Sequence, residues 1–180
     1  MMGVKHIIDR IPRFALFAAA ALIQVALIAL MVIDRVAILR SGTEVTLPTR
    51  PVDPRDFLRG DYVVLAYDIS RIPVGEARNG TTVFVKLAPD ADGVHRLVSV
   101  HADPAAVTAP EVMIRGRVTA YNGVHYGIES YFVPEGEGRA IEMARNQGKV
   151  TVVAAVTPAG RAAIKRLLID GKPVYDEPWF

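Results

Sequence analysis

The chain has 180 residues, 51% of them hydrophobic and 22% charged, and no cysteine. That length accommodates one ordinary domain plus an appendage, and the missing thiols exclude disulfides, thiolate zinc sites and cysteine nucleophiles. The formal net charge of +2 comes from the amino-terminal tail: setting aside Lys5, Arg10, Arg13 and Asp9 leaves eighteen residues of each sign. Such a neutral remainder lacks the basic footprint of a nucleic-acid binder, so no nucleic-acid partner is expected.

The appendage comes first. From Phe14 to Ile33 no residue is charged and only Gln24 interrupts the apolar run. Twenty helical residues at ~1.5 Å each reach ~30 Å, the thickness of a bilayer's hydrocarbon core. Leu, Ile, Val and Phe fill most of the run, and their summed insertion bias is roughly 3–7 kcal/mol. A signal peptidase cut after Ala37 would place Arg35 at the −3 position, which disfavours cleavage. The segment therefore reads as an uncleaved signal-anchor, with the lipid bilayer as its first partner. Gln24 could bond a helix of a membrane partner. Lys5, Arg10 and Arg13 precede the span; Arg35, Arg40 and Arg50 follow it. A short basic tail ahead of a first helix stays in the cytoplasm, while long domains cross largely regardless of charge. The expected organisation is a basic cytoplasmic tail at 1–13, a transmembrane helix at 14–33, a connector with a Pro-rich stalk at 34–54 and an outward-facing β-rich domain at 55–180.

In the connector, Pro48, Pro51 and Pro54 recur at the period of a polyproline II helix. The same piece also reads as an ordinary strand-entry loop. Strands dominate from Asp61 onward. In "TTVFVKLA", Val83, Val85 and Leu87 share a face, and "VHRLVSVH" returns beyond a Gly-containing loop as a hairpin. "EVMIRGRVTAY" and "VHYGIESYF" flank Asn122-Gly123, a strong two-residue hairpin signal. One short helix is expected over Gly138–Gln147, with Glu135 and Glu137 near its positive end and Gly148 as its stop. "KVTVVAAVT" is a strand. "RAAIKRLLIDG" leans to a strand because Asp170-Gly171 offers a hairpin turn. The fold class that follows is mainly β, a small barrel or sandwich of about seven strands with one short helix, preceded by a single N-terminal transmembrane helix.

The stretch "RGDYVVLAYDI" carries the most distinctive pattern. As one strand from Asp61 to Ile69 it places Asp61, Val63, Leu65, Tyr67 and Ile69 on the core face and Tyr62, Val64, Ala66 and Asp68 on the other. Asp61 could accept backbone N–H groups or pair with Arg59 or Arg55. Tyr67 would bury its ring and need a partner for its hydroxyl. In "YGIESYF", Tyr126, Ile128 and Ser130 alternate with Gly127, Glu129 and Tyr131, and Glu129 could meet Arg59. Arg55, Arg59, Asp61, Tyr62, Tyr67, Tyr126, Glu129 and Tyr131 are thus the candidate residues, either as a structural network or as the lining of a small-molecule pocket.

"GDYVVLAY", Gly60–Tyr67, matches every fixed position of the pattern that names the GDYXXLXY protein family. "VDPRDFLR" resembles the segment leading into that motif, and "YGIESYFVPEGEGRAIE" resembles the family's second block. The resemblance implies a bacterial membrane-anchored protein of unassigned function, often encoded beside or fused to a multi-spanning membrane protein. It brings no catalytic residue to carry over.

Chemistry read from the residues is sparse. "GDYVV" downstream of a membrane anchor also invites comparison with bacterial signal peptidases, but Val52 stands where their serine would lie. Lys86, Lys149, Lys165 and Lys172 carry no context of a Ser–Lys dyad. His95 and His101 lie six residues apart, which is too far to grip one ion unaided, and no HExxH is present; no metal and no cofactor is expected. The function expected is a membrane-anchored, extracytoplasmic accessory or binding subunit of a bacterial membrane assembly, located at the inner membrane. The alternatives are a membrane-tethered hydrolase acting around Asp61, Tyr62 and Glu129, or a small-ligand sensor module.

Overall fold

The computed structural model describes residues 12–52, 62–75, 77–119, 123–134 and 136–176. Arg55, Arg59, Gly60, Asp61, Glu135 and the Asn122 turn residue lie outside these. The chain divides into two compact units, one reaching Val36 and one running from Ala37 to Trp179.

The first unit holds most of helix α1, Arg13–Ser41. Its apolar side chains are exposed on every side, Phe14, Leu22 and Met31 each at 70% or more. A helix that is apolar all round belongs in lipid or in a large core, and the segment Phe14–Arg40 is long and apolar enough to cross a membrane. The helix continues past Ile33 through the charged turn Asp34–Arg35 to Ser41. Part of the expected connector is therefore helical.

The second unit is mainly β. Its strands are β1 Thr43–Pro48, β2 Tyr62–Val64, β3 Thr82–Pro89, β4 His95–His101, β5 Val112–Thr119, β6 Gly123–His125, β7 Ser130–Phe132, β8 Val150–Val156, β9 Ala162–Ile169 and β10 Lys172–Asp176; helix α2 spans Gly138–Asn146. They form two four-stranded sheets, β1-β8-β9-β10 and β4-β3-β5-β6, and a ladder of β2 with β7. All pairings are antiparallel. The arrangement is sandwich-like, without a closed barrel among the described residues. Among the described residues there are ten strands against the about seven expected, because β2, β6 and β7 are three-residue pieces and β1 lies in the expected connector.

β1 occupies part of the expected connector, while Pro54 of the proline series lies outside the described residues. Val45 and Leu47 point inward and are buried, and Thr43 to Pro48 pair with Val156 to Thr151 of β8. The alternating pattern of β1 carries three β-branched residues, Thr43, Val45 and Thr46, which suits a strand laid along the edge of β8. Central strand β8 is buried on both faces, hence its run of Val and Ala. On one face its neighbour Ala163 of β9 meets Ile38 and Leu39 from the end of α1. Ala163 is small enough for the helix end to approach. Gly42 then passes so close to β8 that a Cβ would lie 2.7 Å from the Val156 nitrogen.

One core unites both sheets and the ladder. Val85, Leu87, Ile114, Val124, Ile128, Val152, Ala154 and Leu167 are among its fully buried members. Fully burying each large aliphatic side chain contributes about 1.5–3 kcal/mol, so this cluster dominates the unit's stability.

Helix α2 matches the expected span to within one residue. Ile141 and Arg145, one turn apart, form its buried stripe. At its end Gly148 takes φ 72°; its N–H bonds the Arg145 carbonyl at 2.9 Å, and the Lys149 N–H bonds that of Ala144 at 3.0 Å. This pair of bonds is a Schellman stop. The hairpin β9–β10 turns on Asp170 (φ 50°) and Gly171 (φ 76°), as the two-residue turn of a right-twisted hairpin requires. "RAAIKRLLIDG" is accordingly a strand and its turn.

Candidate functional site

The first motif keeps its expected facing with less regular structure than expected. Only Tyr62–Val64 is strand, paired in register with Phe132, Tyr131 and Ser130. Residues 68–70 then form a 3₁₀ turn. Even so, Val63, Leu65, Tyr67 and Ile69 are all buried, while Val64 and Asp68 are exposed. The backbone stays extended through Tyr67, so parity outlasts the ladder.

Two tyrosines tie this motif to the second one. The Tyr67 hydroxyl donates to the Ile128 carbonyl at 2.6 Å. The Tyr126 hydroxyl donates to the Ile69 carbonyl at 2.5 Å. The Leu65 N–H adds a third strap, to the Glu129 carbonyl at 2.8 Å. Both rings are buried. Burial, and secondarily the charge of Glu129, raises both phenol pKa values far above the ordinary range. The hydroxyls therefore stay protonated and serve as donors to main-chain carbonyls, not as acid–base groups. Gly116 of β5 makes room for the ring of Tyr126: a Cβ there would lie 2.3 Å from Val124 Cγ1 and 3.0 Å from Tyr126 Cε1.

Glu129 turns inward on its own loop. Its carboxylate accepts the N–H of Tyr126 at 2.5 Å and of Gly127 at 2.9 Å. Gly127 adopts φ 81°, and the strand expected over "VHYGIESYF" is instead two short pieces, β6 ending at His125 and β7 beginning at Ser130. Parity changes across that break: Tyr126, Ile128 and Tyr131 are all buried while Ser130 is exposed. Tyr131 pairs with Val63. Tyr62 sits half-buried opposite Phe132, ring centroids 5.9 Å apart and tilted by 49°. Tyr62, Tyr67, Tyr126, Glu129 and Tyr131 thus converge on one region; Arg55, Arg59 and Asp61 fall outside the described residues.

Arg145 went unnoticed in the sequence. It is 1% exposed and the largest of the fully buried side chains. Its guanidinium donates to the carbonyls of Val64 and, at 3.3 Å, of Val52, and to Asn146 Oδ1. Desolvation by burial lowers its pKa. The available signal was its spacing, four residues after Ile141 on an otherwise polar helix.

Beside the tyrosine tie lies an open cavity of about 910 Å³. Its walls include Tyr62, Val64 and Ser130 of the β2–β7 ladder, Ser70–Pro73, and Gly123 and His125 of β6. Its size falls in the range of small-molecule sites. Ser70 and Arg71 follow the first motif directly but carry no sequence signal of a site, and His125 reaches it only through folding. No group of three or more His, Asp or Glu side chains able to hold a metal occurs among the described residues.

An apolar helix long enough to cross a membrane leads into a sandwich-like β domain whose two motifs are tied by tyrosines beside a cavity, an arrangement consistent with a single-pass anchored domain. The family model described as GDYXXLXY protein matches residues 24–167, and the chain belongs to that family. No curated protein and no solved structure matches it.

Proposed function

We infer that the protein is a non-enzymatic binding or accessory subunit of a membrane assembly, its β domain facing away from the cytoplasm of a bacterial inner membrane. One observation carries this reading. The family's motif tyrosines are engaged in holding the fold together, and the surface they create is an open cavity on a domain fastened to a membrane-length helix. A scaffold that shapes a cavity and stays at the membrane suits recognition. The charge-free span with its single Gln24 suits contact with a second membrane helix, worth about 1 kcal/mol.

The test is purification of the tagged full chain from its native membrane in mild detergent. A multi-spanning protein recovered in fixed stoichiometry, and reduced by Gln24→Leu, is the expected result. A chain that purifies alone, in every gentle detergent, overturns the subunit reading. Reporter fusions at the carboxyl end check the side: alkaline phosphatase active and green fluorescent protein dark is the outcome expected.

A further inference from the structure

We propose that the 910 Å³ cavity is a site for an oxyanion, a phosphate or carboxylate group carried on a small organic molecule, held by Arg71, Ser70 and His125. The proposal rests on the binding reading above only in taking the cavity as a recognition surface. Its test needs no partner protein.

The electrostatics of the lining favour an anion. Among the described lining residues Glu129 is the one acid, and both its oxygens already accept peptide N–H groups. Arg71 is exposed in the lining and forms no ion pair among the described residues. Its guanidinium offers the fork of donors that suits carboxylate and phosphate. The neighbouring Ser70 Oγ is buried and has no hydrogen-bond partner among the described residues. An unmatched buried hydroxyl costs free energy unless something accepts from it, and a ligand oxygen in the cavity would.

Strand register places further donors on the same side. Arg71 bridges Gly123, and Gly123 and His125 lie two apart on β6, hence on one face. His125 is opposite Arg117 of β5, about 5 Å away between Cβ atoms. Arg115 follows on that face of β5, about 7 Å further. Arg115 and Arg117 are both exposed, and neither has an ion-pair partner among the described residues. The face therefore forms a cationic approach that would steer an anion toward Arg71. Val64, Leu65, Ile72 and Pro73 complete the lining and give the organic part of the ligand an apolar wall. The oxyanion could arrive on a soluble metabolite or as the headgroup of an anionic phospholipid; the chemistry at Arg71 is the same.

The experiment uses the full chain in nanodiscs of phosphatidylcholine, titrated calorimetrically with inorganic phosphate, glycerol 3-phosphate and succinate. A parallel sample sits in discs of phosphatidylcholine and phosphatidylglycerol in equal parts, compared by thermal melting. Saturable binding of a soluble probe assigns a soluble ligand. A raised melting temperature in the phosphatidylglycerol discs alone assigns a headgroup. In either case Arg71→Gln and Ser70→Ala should weaken the effect about tenfold, and Arg50→Gln should not, because Arg50 pairs with Asp68 outside this lining. Ser70→Ala should melt no lower than the parent without ligand, which separates lost binding from lost fold. Absence of both effects overturns the site, and so does an effect that survives Arg71→Gln and Ser70→Ala undiminished.

Discussion

Tyr67 and Tyr126 clasp each other's chain segments. Each donates its hydroxyl to the carbonyl two residues beyond the other: Tyr67 to Ile128, Tyr126 to Ile69. The relation is reciprocal, so the two blocks that mark the family are physically one unit. It explains why a tyrosine, and not a phenylalanine of similar volume, closes the first motif: the buried Ile128 carbonyl needs a donor.

Removing either hydroxyl leaves a buried carbonyl unmatched. Tyr67→Phe and Tyr126→Phe should each lower stability by about 1–3 kcal/mol. Because both bonds close the same junction, the double variant should lose less or more than the sum, with a coupling of about 0.5 kcal/mol or greater. Thermal and denaturant unfolding of the detergent-solubilised chain, followed by circular dichroism, measures this. Strict additivity would separate the two bonds and undo the clasp.

Arg145 ties α2 to the main chain ahead of the first motif and within it, through Val52 and Val64. Arg145→Lys keeps the charge but cannot span two carbonyls with a planar fork. It should destabilise the domain by on the order of 3 kcal/mol, and Arg145→Met, which removes the buried charge as well, by less. The ranking of the two melting temperatures is the measurement. A lysine variant as stable as the parent would show that the guanidinium geometry is dispensable.

Stability should fall at both ends of the pH scale. On the acid side, burial lowers the pKa of His95 below its ordinary 6.5, and its Nδ1 accepts the Thr46 N–H, which requires an unprotonated nitrogen. The unfolded chain then takes up the proton first, and stability drops as pH falls below 6.5. Glu44, held below its ordinary 4.5 chiefly by the hydrogen bond from Lys165, contributes stability present above 4.5 and lost as pH falls through its folded value. That part is small because the pair is partly exposed. On the alkaline side, Tyr67 and Tyr126 are raised above 10.0; the unfolded phenols release protons first, and stability drops above 10.0. Melting temperature against pH should show a plateau from about pH 7 to 9, and Tyr67→Phe with Tyr126→Phe should flatten its alkaline limb.

Membrane retention should depend on the first helix, which is long and apolar enough to cross a bilayer. Ile23 and Leu27 lie one turn apart on it and are exposed. Lysines at both positions cost about 2.5–3.5 kcal/mol each at a span's centre, enough to offset most of the insertion bias of roughly 3–7 kcal/mol. Ile23→Lys with Leu27→Lys should shift the chain out of the alkali-resistant membrane fraction. Retention of the doubly charged chain would mean that something other than this span holds it.

Much of the fold was legible before any coordinates. The core face of the first motif, Val63, Leu65, Tyr67 and Ile69, follows from parity alone, because an extended backbone alternates its side chains whether or not a partner strand is present. The α2 stop at Gly148 and the turn at Asp170-Gly171 were readable because positive φ has a residue signature. The second block was misjudged at Gly127, where one left-handed residue changes which side chains face inward. The strand at Thr43–Pro48 within the expected connector is legible only through its partner, because its edge position beside β8 is a tertiary property.

The sequence alone determined the membrane-length helix, the β character of the remainder, the family and most of the inward faces. These are local properties, set by residues within a few positions of one another. Only the tertiary structure decided what the motif is for. The bonds that join Tyr67 to Ile128 and Tyr126 to Ile69 span 61 and 57 residues, and Arg145 reaches back 81 and 93 to Val64 and Val52. No pattern of neighbours encodes such distances; they appear when burial forces each hydroxyl and guanidinium to find an acceptor wherever packing has placed one.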